Sequence, residues 1–334
     1  MPDLPLEIDG IRVPLPADIA ALRTELRPYT RVTPVFERDH FPTLPGTKLN
    51  FKFELLQASG TFKARGAFAN LLGLDAAARA RGVTGISAGN HAVAVAYAAM
   101  RLGITAKVVM LKTANPARLA LCRAYGAEVL LAEDGATGFA MVRAIEAQEG
   151  RFFVHPFNGY RTILGTATLG AEWAEQAPDL DAVILPIGGG GLAAGVATAF
   201  KQANPSITIY GVEPAGATGM AQSFATGGPI KMGAMTGIAD SLMAPHTEAY
   251  SYGLCRANID ALVTVTDDEL RTAMRHLFDE LKLATEPACA AATAAALFPL
   301  RDRIAGQRVG VLLCGTNTDM ATFNRHMTTP QTPG

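Results

Sequence analysis

Lys63 stands in the run Ser59-Gly60-Thr61-Phe62-Lys63-Ala64-Arg65-Gly66-Ala67, where a short apolar stretch gives way to a helical pattern, and it directly follows an aromatic residue. An amine desolvated by such neighbours loses basicity and can act as a nucleophile or Schiff-base partner. On the run alone, a solvated lysine opening a helix reads as well. Three more clusters follow apolar runs. Ser87-Ala88-Gly89-Asn90-His91 opens a helical stretch, so its backbone N–H groups can cradle a carboxylate or phosphate at the positive end of a helix dipole. It reads equally as an ordinary βα turn with Asn90 as the cap and His91 as a packed histidine. Gly188-Gly189-Gly190-Gly191 lies flush between an apolar run and a helical pattern, and four residues without Cβ let the backbone wrap a phosphate closely. A flexible linker seldom sits in such a place, and no acidic residue completes a dinucleotide fingerprint. Cys314-Gly315-Thr316-Asn317 ends the last apolar run, where open parallel sheets present ligand-binding groups. A strand-ending turn with a buried thiol is its plainer reading.

Clusters at strand ends require strands, and the chain alternates short apolar runs with longer stretches of helical spacing, the pattern of repeated βαβ units. Strands are expected at 48–53, 83–87, 106–111, 127–132, 152–154, 182–185, 207–212, 261–265 and 308–313. Helices are expected notably at 92–102, 117–125, 137–148, 192–202, 267–281 and 288–297, with Thr266 and the acidic Asp267, Asp268 and Glu269 marking one start. Residues 74–157 hold their own alternation and form a candidate smaller lobe, with Pro156, Gly159 and Gly165 marking the return crossing.

The length of 334 residues suits two lobes. A formal net charge of −1 with 18% charged residues asks for no nucleic acid and no anionic membrane surface, which leaves small molecules as partners. The apolar runs are too short to cross a bilayer and the N-terminus carries no signal pattern, so a cytoplasmic location is expected. Cys122, Cys255, Cys289 and Cys314 are scattered without metal-type spacing and read as free thiols.

In their order, the lysine after Ser-Gly-Thr-Phe, the Ser-Ala-Gly-Asn-His turn, the tetraglycine loop and the Cys-Gly-Thr-Asn end resemble the fold type II pyridoxal-phosphate enzymes, specifically the serine/threonine dehydratase and serine racemase group. The likeness runs from about Lys52 to Asn317. It implies a two-lobed α/β fold like that of the tryptophan synthase β chain, with open, mostly parallel sheets flanked by helices. Residues 1–73 and 158–334 would form the large cofactor-binding domain and 74–157 the small substrate-binding domain. The implied cofactor is pyridoxal 5'-phosphate, with Lys63 as the catalytic Schiff-base lysine. Phe62 would pack by the ring, Asn90 would contact the ring hydroxyl, and Gly188, Gly189, Gly190 and Gly191 would hold the phosphate. Cys314 would face the pyridine nitrogen, and Glu286, in Thr285-Glu286-Pro287, would lie close to the ring. The turn Ser87, Ala88, Gly89, Asn90 and His91 would bind the substrate carboxylate.

The implied reaction is β-elimination of water from a small β-hydroxy amino acid such as threonine or serine, giving a 2-keto acid and ammonia. The alternatives are 3-hydroxyaspartate or a β-aryl serine as substrate, and racemisation. Ala88 stands where the group's racemases carry a serine base, and alanine moves no proton, which argues against the last. Glu213-Pro214 matches the family's metal glutamate, but Gly219 replaces the companion aspartate, so a hard divalent cation is not expected and a monovalent ion remains the candidate for Glu213. The stretch 155–161 departs from the family's acidic version; Tyr160 and Arg161 there read first as helix-start or surface groups and second as side-chain readers. Too few residues follow Met327 for an allosteric domain, and a homodimer is implied.

Overall fold

The computed structural model describes residues 6–38, 43–87 and 89–329. Its strands are β1 (Glu7–Ile8), β2 (Ile11–Arg12), β3 (Val35–Arg38), β4 (Lys48–Lys52), β5 (Val83–Ser87), β6 (Ala106–Leu111), β7 (Glu128–Ala132), β8 (Phe152–Phe153), β9 (Ala182–Pro186), β10 (Thr208–Pro214), β11 (Ala261–Val265) and β12 (Arg308–Leu312). One sheet has the order β11-β10-β9-β12-β4-β3, parallel except for the edge strand β3; a second, β7-β6-β5-β8, is parallel throughout. Each strand expected from the pattern is present, its bounds shifted by no more than two residues. The additional strands are the β1–β2 hairpin, too short to carry any period, and β3, whose Phe36 and Glu37 are exposed as at a sheet edge. The helix starting after Thr266 has the reciprocal cap expected of it: the Thr266 hydroxyl accepts the Glu269 N–H, and the Glu269 carboxylate accepts the Thr266 N–H. All four cysteines are free.

The element that joins the two sheets was not expected. The helix Tyr160–Gln176 packs against both the helix Lys63–Leu72 and the helix Gly191–Ala203. Its contact faces are built from small residues. A Cβ on Gly165 would lie 2.6 Å from the Gly66 Cα, and a Cβ on Gly195 would lie 2.1 Å from the Thr166 hydroxyl. Gly165 is therefore a mid-helix contact glycine rather than part of a turn, while Gly159, with φ of 90°, does mark the helix start.

Beside this contact lies a dry ion cluster. Arg65 pairs with Glu54 at 2.6 Å and with Glu172 at 3.1 Å, and Lys52 donates to Glu172 at 2.6 Å; all four residues are buried. Each member needs the others, since a buried charge stripped of its partner costs several kcal/mol. The cluster locks the lysine-bearing helix to strand β4 and to the helix Tyr160–Gln176.

Gly165→Val forces bulk into backbone that cannot yield, and overpacking of this kind costs about 1–3 kcal/mol. Thermal unfolding of the variant is expected to fall by several degrees. Gly233→Ala, where a Cβ meets nothing within 4 Å, is expected to melt with the parent protein.

Candidate active site

A cavity of about 460 Å³ opens where the carboxyl ends of β5, β6, β9 and β12 converge, and Lys63, Ser87, Asn90, the loop Gly188–Gly191, Glu286 and Cys314 all line it. Residues from five separate parts of the chain thus meet in one place. Lys63 is the first residue of its helix, and the helix start is stapled to the end of β12: Thr61 bridges Gly315, and the Phe62 N–H donates to the Cys314 carbonyl at 3.1 Å. The Lys63 ammonium nitrogen donates to the Pro156 carbonyl at 2.5 Å and lies 5.0 Å from the centre of the Phe62 ring. Burial lowers its pKa to about 8.

The glycine loop is glycine for steric reasons. A Cβ on Gly189 would lie 2.2 Å from the Phe157 ring, one on Gly191 would lie 2.4 Å from the Phe157 carbonyl, and Gly190 adopts φ of 89°. The loop runs straight into the helix Gly191–Ala203, so free N–H groups and the helix dipole face the cavity. From behind, the Ser251 hydroxyl donates to the Gly189 carbonyl at 3.0 Å and fixes the loop.

Asn90 begins the helix Asn90–Leu102, and its amide nitrogen donates to Glu286 at 2.6 Å. Glu286, buried at the start of the helix Pro287–Leu297, also accepts from Arg118 at 2.9 Å. Burial raises the Glu286 pKa while the Arg118 charge opposes it. Arg118 also donates to Asp240 at 2.6 Å, the Ser241 hydroxyl donates to Asp240 at 3.1 Å, and Asn317 donates to the Asn90 side-chain oxygen at 2.9 Å. Arg118, Asp240 and Ser241 escape a reading of the sequence, because nothing local distinguishes them from surface polar residues.

Ser87 accepts the Gly89 N–H at 2.9 Å, and Ala88 lies outside the described residues. The His91 Nε2–H donates to the Val154 carbonyl at 2.8 Å, and burial followed by the Lys63 charge lowers its pKa to about 3. His91 is therefore a neutral, packed histidine on the cavity wall. Cys314 stays a thiol, its pKa raised by a hydrogen bond with Cys289 and by burial.

Glu213, the candidate for a monovalent ion, is buried near the end of β10. Both its oxygens accept backbone N–H groups, from Met220 at 2.7 Å and Ala221 at 2.8 Å, so it anchors the start of the helix Gly219–Thr226; burial pushes its pKa up to about 7. Among the described residues, His155, His246 and Glu248 form the group with metal-like spacing. The Asn158 N–H, however, donates to His155 Nδ1 at 3.0 Å, which leaves the ring proton on Nε2, facing Glu248. That nitrogen has no lone pair for a metal, and the cluster is a brace behind the Phe139 and Phe157 rings of the cavity wall. Tyr160 and Arg161 do not line the cavity: Tyr160 packs under the Arg12 guanidinium and Arg161 donates to the Ala69 carbonyl.

The donor set fits an aldehyde-bearing aromatic phosphate. It offers a buried amine of lowered basicity, a backbone cradle with no room for side chains, and a protonated thiol in the same cavity. Residues 26–315 match the family of pyridoxal-phosphate dependent enzymes, and the chain belongs to that family. Within it, the protein is a fold type II enzyme of the serine/threonine dehydratase and serine racemase group, an ammonia-lyase whose cofactor is pyridoxal 5'-phosphate. It is 68% identical over 321 residues to phenylserine dehydratase of Ralstonia pickettii, covering 96% of this chain and 98% of the relative. It is 37% identical to the catabolic L-threonine dehydratase of Escherichia coli, covering 96% and 95%. The solved structure of maize serine racemase superposes with a TM-score of 0.88 at 34% identity, covering 93% of this chain and 96% of that one. No helix among the described residues is long and apolar enough to cross a membrane.

With its pKa at about 8, Lys63 in cofactor-free protein is expected to react as a free amine well below the pH that an ordinary lysine, near pKa 10.4, requires. Reductive methylation followed by peptide mapping measures this; a midpoint near the ordinary value would contradict it.

Proposed function

We propose that the protein dehydrates and deaminates a β-aryl serine, giving an aryl 2-keto acid and ammonia. The observation that carries this reading is the cavity wall, where Leu111, Phe139, Phe157, Met235, Met243 and Pro245 form a broad apolar surface. Such a wall gains free energy by burying an aromatic ring, whereas a threonine methyl or a serine would leave much of it uncovered. A 3-hydroxyaspartate side chain would need a cation, and the residues lining the wall supply Asp134 and Asp240 instead. The 68% identity to a phenylserine dehydratase supports the same choice and moves the reading away from threonine or serine.

When bound, the cofactor supplies an electron sink for the substrate's α-carbon. The chain's own residues do the rest. Lys63 would hold the cofactor through its amine and, once displaced by substrate, take the α-proton, a task suited to a base of pKa about 8. Gly188, Gly189, Gly190 and Gly191 would bind the phosphate through backbone N–H groups. Phe62 would pack by the ring, Asn90 and Glu286 would flank its hydroxyl edge, and the neutral thiol of Cys314 would meet its nitrogen. The turn from Ser87 to His91 would receive the substrate carboxylate. With alanine at position 88, no side chain there can deliver a proton to the opposite face, which favours elimination over racemisation. We further propose that residues 74–157 serve as the substrate-binding domain against a cofactor-binding domain of 1–73 and 158–334, and that two copies pair as a dimer.

A substrate panel with keto-acid release as readout tests the reading. Phenylserine is expected to exceed threonine, serine and 3-hydroxyaspartate by at least about tenfold in kcat/KM, the scale that apolar side-chain discrimination reaches. A preference for threonine would overturn it. Phe139→Ala is expected to lower kcat/KM for phenylserine by about 10–100-fold and to leave threonine nearly unaffected.

A further inference from the structure

The Arg118 side chain braces the cavity from behind. It is 2% exposed and does not line the cavity, yet its guanidinium reaches three separate segments: Nε donates to the Asn317 carbonyl at 2.7 Å, one terminal nitrogen to Asp240 at 2.6 Å, and the other to Glu286 at 2.9 Å. Its own helix, Pro116–Ala124, follows β6 of the small sheet, whereas the three acceptors belong to segments around the large sheet. The contacts close into a circuit, because Glu286 accepts from Asn90, Asn90 also lies 3.4 Å from the Ser241 hydroxyl, and Ser241 donates back to Asp240. The Ser87–His91 turn rests on the same side chain: a Cβ on Gly89 would lie 2.2 Å from the Arg118 Cδ.

We propose that Arg118 is a positioning residue of the elimination, holding the Glu286 carboxylate and, through it, the Asn90 amide in the orientation that faces the cofactor. The orientation of Asn90 follows from its partners. Its oxygen accepts from Asn317, which itself donates to the Ser59 carbonyl at 2.9 Å, and its nitrogen is left for a carboxylate acceptor. A Glu286 that gained a proton would offer Asn90 a neutral acceptor in place of a carboxylate, and the charge-assisted hold on the amide would weaken. The titratable and charged groups facing Glu286 are Arg118, Asp240 and Cys314, and of these Arg118 alone is a cation. Removing it leaves a buried carboxylate with the Asn90 amide as its remaining support against burial and like charge, both of which drive protonation. Arg118 therefore acts on the reaction without touching substrate or cofactor.

The test uses holoenzyme of R118M, R118K, E286Q and the double variant R118M/E286Q, read by the visible absorbance of the bound cofactor and by kcat and KM. R118M is expected to shift the cofactor band and lower kcat by about tenfold or more at neutral pH with little change in KM, and the lost rate is expected to return as rising pH re-ionises Glu286. R118K, which keeps the cation, is expected to recover much of the rate. In the E286Q background the guanidinium no longer has the Glu286 charge to hold and keeps only Asp240 and the Asn317 carbonyl, so adding R118M is expected to cost less than about threefold further, a non-additive pair. The proposal is overturned if R118M keeps the parent spectrum and kcat, or if the two losses multiply in the double variant. Should R118M fail to accumulate, the comparison of E286Q with the double variant, which carries no unpaired buried carboxylate, decides the matter. These outcomes do not depend on which hydroxy amino acid is turned over, so the aryl reading can fail without touching them.

Discussion

The site depends on how closely three helix backbones can approach. The helix that begins with Lys63 touches the helix Tyr160–Gln176 at Gly66 and Gly165, and that helix touches the one issuing from the glycine loop at Thr166 and Gly195. Because these crossings are made of backbone and small side chains, the spacing between amine and glycine loop has almost no soft degree of freedom. A larger residue at either crossing would separate the group that binds an aldehyde from the group that binds a phosphate. The buried cluster of Arg65, Glu54, Glu172 and Lys52 fixes the rotation of the same helix, since its charges are satisfied in one arrangement only.

Within that frame the cavity shifts three of its titratable groups toward the neutral form. Lys63 is shifted toward the free amine, His91 is held neutral, and Cys314 remains a thiol. Glu286 is the member of this set held toward its charged form by a neighbour, and that neighbour comes from the other sheet. A neutral thiol at the ring nitrogen would give a weaker electron sink than a carboxylate there, and elimination asks only for a short-lived carbanion.

What the sequence disclosed was what is local. The Ser59–Ala67 run, the Ser87–His91 turn, the tetraglycine loop and the end of β12 each carry a short pattern of glycines, caps and apolar residues that survives without its tertiary context, and all four converge on the cavity. The helix Tyr160–Gln176 was missed because its threonines and glycines lower its intrinsic propensity, and packing on both sides compensates for this. Arg118, Asp240 and Ser241 were missed for a different reason: their partners lie 122 residues or more away along the chain, or belong to a circuit that closes only in three dimensions. The backbone contacts of Glu213 were equally illegible, since nothing local announces that its carboxylate reaches the N–H groups of the following helix start.

The order in which the cavity's parts occur along the chain constrains how the protein is made. Lys63 and its helix leave the ribosome early, the glycine loop much later, and Cys314 and Asn317 among the last residues, so strand β12, which lies between β4 and β9, must insert into the middle of a sheet whose other members already exist. Until it does, the lysine helix has nothing to be stapled to and the floor of the pocket is missing. Loading with the vitamin-derived group therefore has to follow the docking of β12, because before it an amine is present but the pocket that would retain an aldehyde is incomplete.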